Sequence, residues 1–244
     1  MTNRVLDAMM EIRASIPPQS LVTTMLPEAT ELVTRNSFAF LLAVCLDRGV
    51  RSEIIWTFPW AMLSRLGHLD PRILMFMTED ELRKVIDTLS YKPRYTRDAP
   101  RTILDLCRIV VDEFDGKAQA IWERKGALEV RSTLMRIHGV GAGIAAMGLN
   151  LIERVLGHSF GEQEYRYIDV KPDVHLVRVF FRTGLCDVAN SSQVVEAART
   201  HSPNFPGQLD APGWIIGRTW CHEREPECVS CPLDILCPKV GLFS

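Results

Sequence analysis

The chain has 244 residues, 47% of them hydrophobic and 24% charged, and 28 Lys and Arg against 30 Asp and Glu give a formal net charge of −2. These figures exclude disordered, collagenous and low-complexity chains and leave one large or two small globular domains with a sizeable core. They also remove any global electrostatic case for a nucleic-acid partner, so such a case has to be local.

The residues before position 18 carry no apolar stretch ahead of a small-residue cleavage site. No secretory leader is expected, and the expected location is cytoplasmic, nucleoid-associated in a prokaryote. Val5, Met9 and Ile12 recur at intervals of four and three, the spacing of one helix face. Residues 38–46 form the longest apolar run, at nine residues, too short to span a bilayer. No membrane association is expected. A helix over 79–89 precedes a loop at 91–101 that reads YKPRYTRDAPR, with four basic residues, one acidic residue and two tyrosines. Lys92, Arg94 and Arg97 with interleaved aromatics suit a phosphate backbone, and they equally suit a solvated loop.

Next come helical segments at 128–136 and 142–156, joined by IHGVGAGIA. Its closely spaced glycines permit a tight hairpin whose backbone amides face outward at the start of the following helix. That is where the macrodipole favours an anion. Ile144, Met147, Leu151 and Val155 continue the helical period. In KPDVHLVRV, Pro172 is suited to a helix start, which places Asp173 in the first helical turn as a capping carboxylate or a functional one. Asp169 lies on the loop side of Pro172 and is the weaker alternative. His175 and Arg178, three apart, share a face and suit ion pairing around Asp173. Turn-rich stretches fall at 16–19, 91–101, 157–172 and 202–213, and no period-two alternation appears. The expected fold class is all-α.

Of the seven cysteines, Cys45, Cys107 and Cys186 sit among apolar neighbours and suit small buried side chains. Cys221, Cys228, Cys231 and Cys237 fall within seventeen residues, spaced C-x6-C-x2-C-x5-C. An odd total without a leader argues against a disulfide framework and for a metal centre. A zinc ribbon pairs two C-x2-C knuckles, and a ferredoxin run is tighter than this.

This cysteine spacing, after a helix-hairpin-helix and a downstream Asp-x-His, resembles the endonuclease III-like DNA glycosylases of the helix-hairpin-helix-GPD superfamily, from about residue 36 to 238. The resemblance implies a two-domain all-α fold. Residues 30–155 would form a six-helix domain ending in the helix-hairpin-helix, and 1–29 with 156–244 a terminal-helix and iron–sulfur domain. It implies that Cys221, Cys228, Cys231 and Cys237 hold a [4Fe–4S] cluster and that Asp173 is catalytic. It assigns Gly139, Val140 and Gly141 to the family's LPGVG core, with His138 where proline is usual, and it implies contact with double-stranded DNA containing a damaged or modified base. The expected DNA-binding set is His138, Gly139, Val140, Gly141, Gly143, Lys92, Arg94 and Arg97, on a monomer.

The departures bear on activity. Bifunctional members carry a Schiff-base lysine two residues after the second hairpin glycine, where this chain has Gly143. The glutamine that fills the gap left by a flipped base maps near Gly49. The loop 222–227, HEREPE, is more acidic than the family's, and extra residues stand around 157–169. The expected enzyme is therefore a monofunctional glycosylase that uses water and has no AP lyase activity. Alternatives are lyase chemistry from another lysine, Lys171 being nearest to Asp173 in sequence, a non-catalytic DNA-binding protein, or an iron–sulfur protein unrelated to DNA. The short stretch after Cys237 lowers the expectation of an adenine-mismatch enzyme. The base stays open among oxidised pyrimidines, uracil or thymine opposite guanine, and alkylated bases.

Overall fold

The computed structural model describes residues 2–242, and every regular element among them is a helix. The chain divides into two units: Pro18–Phe160 is one, and residues up to Pro17 join those from Gly161 onward in the other. Helix α1 (Thr2–Ser15) belongs to this second, discontinuous unit.

The continuous unit runs from α2 (Pro27–Arg35) and α3 (Ser37–Leu46) through α4 (Ser52–Leu66), α5 (Pro71–Leu74), α6 (Glu79–Thr88), α7 (Ala99–Phe114) and α8 (Ala127–Leu134) to α9 (Ala142–Arg154). Its centre is α3. Every residue of the apolar run 38–46 is buried, so this helix is apolar all round because helices cover it all round. Helices α2, α4, α7 and α9 pack against it, and Phe40 meets the rings of Trp56 and Trp122 edge-on at 5.6 and 6.4 Å. Among the described residues no single helix is long and apolar enough to cross a membrane. Helix ends follow local chemistry. Asn36 caps α3 by accepting from the Ala39 amide at 2.9 Å, and Thr78 with Glu81 forms a capping box on α6.

Residue 30, the expected domain boundary, falls inside α2. The segment ahead of α2 goes with it, because Met25 donates its amide to Thr57 Oγ1 at 2.8 Å and Thr23 bonds Ser52 at 3.2 Å. At the other end, residues 156–160 stay with α9. The His158 amide bonds the Ile152 carbonyl, and its ring packs edge-on against Phe160 at 4.7 Å.

The discontinuous unit adds α10 (Val174–Arg182), α11 (Ser191–His201) and α12 (Asp210–Thr219) to α1. Val5 and Met9 of α1 are fully buried with Leu176, Val179, Phe180, Ile216 and Leu233, while Ile12 is partly buried against the same core. Helices α10 and α12 touch so closely that a Cβ on Gly217 would lie 2.7 Å from the Cβ of His175.

Candidate functional site

Asp173 stands one position outside α10, as its N-cap, rather than within the first turn as expected. Pro172 ends the extended approach, and Asp173 keeps extended backbone angles. Its Oδ1 accepts from the amides of His175 at 2.9 Å and Leu176 at 3.0 Å. The cap engages one oxygen only, so the carboxylate is held in orientation by the helix that it starts.

Arg178 turns away from that carboxylate, contrary to the ion pairing expected around Asp173. It lies 3.1 Å from His175 Nδ1 and donates to the Gly217 carbonyl at 2.7 Å and to the Cys221 carbonyl. Asp169, the alternative carboxylate, is buried and held by both nitrogens of an Arg199 fork at 2.8 Å, which commits it to an ion pair.

The four clustered cysteines line one cavity, with Arg182 and Leu233 among its walls, and all are free thiols. Arg182, only 9% exposed, ties this segment to α10. It donates to the carbonyls of His222 at 2.5 Å and Glu223 at 2.8 Å and lies 3.4 Å from Cys221 Sγ, while Cys237 Sγ donates to the Arg182 carbonyl at 3.3 Å. Burial pushes the Cys231 thiol up to about 11, opposed by the Leu233 amide and reinforced by the other three cysteines, and burial likewise raises Cys237. Four thiols in mutual electrostatic range on a desolvated cavity are a donor set that a cationic group would stabilise as thiolates. Among the described residues no three or more His, Cys, Asp or Glu side chains are grouped tightly enough for a single metal ion. Four thiols on one cavity are a soft donor set of the kind that an iron–sulfur cluster or zinc takes. Burial also raises the thiols of Cys45 and Cys107, each to about 12, as suits inert core side chains.

In the continuous unit, three segments distant in sequence converge. The hairpin before α9 is pinned through His138, whose amide donates to Asp105 Oδ2 at 3.2 Å and whose carbonyl accepts from Thr102 Oγ1 at 2.8 Å. Gly139 has φ +80, and any Cβ on it would lie 1.9 Å from the Arg48 guanidinium. Val140 is buried, whereas Gly141, at the N-cap of α9, is exposed with open space around it. Gly143 is the second residue of α9 and is half-buried.

Arg48 donates to the Gly139 carbonyl at 2.9 Å and stacks 5.6 Å from the Tyr95 ring, and its Nη2 is buried without a hydrogen-bond partner. Arg94 donates to the Gly49 carbonyl at 3.2 Å. The structure therefore gathers Arg48, Arg94 and Tyr95 beside the hairpin. It does not gather Lys92 there, whose ammonium caps α6 at the Asp87 carbonyl at 2.9 Å. Arg97 is exposed in the same loop, which ends where α7 begins at Ala99.

Sequence reasoning passed over Arg48, Arg182 and Asp210 as functional candidates. Arg48 adjoins Gly49 but sits 91 residues from Gly139, and Asp210 lies in a turn-rich stretch without any motif.

No protein-family model matches the chain. Curated relatives do. Endonuclease III of Rickettsia felis is 26% identical over 210 residues, covering 85% of each chain. Endonuclease III of Haemophilus influenzae and that of Escherichia coli are each 26% identical over 215 residues, covering 85% of this chain and 86% of theirs. Among solved structures, a non-covalent endonuclease III–DNA complex superposes with a TM-score of 0.65 at 22% identity, over 98% of this chain and 94% of that one. A trapped endonuclease III–DNA covalent intermediate superposes at 0.61 and 23% identity over 84% of each chain. A thermostable thymine-DNA glycosylase superposes at 0.60 and 15%, over 96% of this chain and 94% of that one. Over most of the chain in sequence and nearly all of it in fold, this chain is similar to endonuclease III.

Proposed function

We propose that this chain is a base-excision DNA glycosylase that hydrolyses the N-glycosidic bond of a damaged, mismatched or modified base in duplex DNA, with Asp173 as its catalytic carboxylate. The observation that carries this reading is the rigidly capped Asp173 within a chain similar to endonuclease III over 85% of its length. A base inside a duplex is out of reach, so the nucleotide is extruded first. As the C1′–N bond breaks, its electron pair leaves with the base and positive charge grows on the deoxyribose. A carboxylate held by two backbone amides stabilises that charge without having to reorganise. It also orients the water whose oxygen bonds to C1′ and accepts the proton that water gives up, which ends on the departed base, as carboxylates do in sugar hydrolysis.

Arg48, Arg94 and Tyr95 beside the uncapped start of α9 form the local cationic and aromatic surface that duplex binding needs in an otherwise acidic chain. Cys221, Cys228, Cys231 and Cys237 would hold the iron–sulfur cluster, which supplies a structural cross-link between the C-terminal loop and α10.

Water rather than an amine is the nucleophile in this proposal, because position 143 is glycine and offers no amine. A second reading, lyase chemistry from Lys171, draws on that lysine's place two residues from Asp173. Borohydride reduction during turnover distinguishes the two, because only an amine leaves a covalent protein–DNA adduct. The test of the main proposal is a panel of duplexes carrying oxidised pyrimidines, uracil or thymine opposite guanine, and alkylated bases. Release of one base by the wild type, lost in Asp173→Asn, supports it. No release from any duplex, at measurable duplex binding, favours a non-catalytic DNA-binding protein.

A further inference from the structure

The approach to Asp173 is held from outside its own helix. Asp210, the first residue of α12, accepts the backbone amide of Lys171 on Oδ2 at 2.5 Å. The Lys171 carbonyl in turn accepts the Asp173 amide at 2.8 Å, so both hydrogen-bonding groups of one residue are committed on the way to the carboxylate. The close α10–α12 contact at Gly217 and the Arg178 bond to its carbonyl fix the two helices beyond this point. We infer that Asp210 is a positioning residue for Asp173: it holds the segment 171–173 that presents the carboxylate. The inference rests on the glycosylase reading only for its kinetic arm.

Burial of its carboxyl group pushes Asp210 up to about 7, with the Lys171 amide and the Lys171 ammonium pulling down and the Asp173 charge pushing up. The other charged groups on the elements around it are engaged or remote. Arg13 of α1 lies over the Phe205 ring, Arg199 of α11 pairs with Asp169, and His175 and Arg178 of α10 contact each other. Arg4, Asp7 and Glu11 of α1 are exposed. Asp173 is therefore the acidic group that Asp210 senses. An Asp in a first helical turn that merely complements the helix dipole would have no such consequence.

The test uses the full chain labelled with carbon-13 at aspartate carboxyls, the Asp173 signal being assigned by its loss in Asp173→Asn. The Asp173 signal should show an added displacement with a midpoint near 7, and Asp210→Asn should remove it. Absence of that displacement, or its survival in Asp210→Asn, overturns the inference. The kinetic arm is single-turnover base release from the panel duplex that the wild type processes. Asp210→Ala, which loses the acceptor for Lys171, should release base about a hundredfold more slowly at duplex affinity within about twofold of wild type. Asp210→Asn keeps an acceptor oxygen, so it should stay within a few-fold of wild type at pH 6 while losing the inflection near pH 7. An unchanged rate in Asp210→Ala also overturns the inference. A wild type that releases no base sinks the glycosylase reading instead and leaves the titration to decide the pairing.

Discussion

Asp173 caps α10 and, in the proposed reaction, also stabilises charge on the sugar, and a pair of substitutions separates the two roles. Asparagine caps a helix as well as aspartate does, so Asp173→Asn should leave thermal stability nearly unchanged while slowing base release by about a hundredfold or more. Asp173→Ala should slow release similarly and also cost about 1 kcal/mol of stability in denaturant titration. The helix start was legible in the sequence from Pro172, although Asp173 was expected one position further in, within the first turn. The neighbouring Asp210 was not legible, because the bond to Lys171 joins residues 39 apart through a helix contact that no local pattern announces.

Asp210 makes a pH prediction of definite sign. Its folded value of about 7 lies above the ordinary 3.8, so the folded protein holds an extra proton between those values. The stability contribution is complete below about pH 4 and is lost as pH rises through 7. Asp210→Asn should flatten that fall, and stability curves at pH 5 and 8 measure it. At position 143, a lysine would supply the amine that glycine lacks. Gly143→Lys should therefore add strand nicking and a borohydride-trapped adduct. Loss of both duplex binding and base release would show instead that the site tolerates no side chain.

At the scale of elements, the α10–α12 contact is the sharpest constraint. A Cβ on Gly217 would meet His175 at 2.7 Å and its backbone at 3.0 Å, so Gly217→Ala has to force the helices apart. A loss of about 1–3 kcal/mol is expected. Gly213→Ala, facing the side chains of Leu176 at 3.3 Å and Phe180 at 3.6 Å and no backbone, should cost less. The helices themselves were largely legible. The Val5, Met9 and Ile12 period, the run 38–46 and the hairpin glycines each gave an element of the right type. What stayed hidden was pairing between elements. The guanidinium of Arg48 fills the space a side chain at Gly139 would need, and this depends on α3 packing against α9. Arg178 points to α12 and not to Asp173, because the Gly217 carbonyl and the Cys221 carbonyl both lie within its reach. Spacing tells which residues share a helix face, but the facing partner is decided by tertiary packing.

On the scale of the whole molecule, the cysteine segment has few buried apolar residues of its own, Leu233 being one, and it is tied to the core through Arg182. Ligation of about four irons per chain should hold this segment, and the purified protein should be yellow-brown. Cys228→Ser should lose colour and iron together and lower the melting temperature. Stoichiometric zinc with no iron after anaerobic purification would falsify the cluster assignment. The discontinuous unit has a further consequence for synthesis on the ribosome. Helix α1 emerges before the continuous unit, yet Val5 and Met9 find their partners in α10 and α12 only after the whole of Pro18–Phe160 has been made. At ordinary translation rates that is a wait of roughly 7–30 s, during which the continuous unit has time to fold. The nascent chain therefore carries the unpaired apolar face of α1 ahead of a finished domain, and α1 is buried only after a unit that is made later than it.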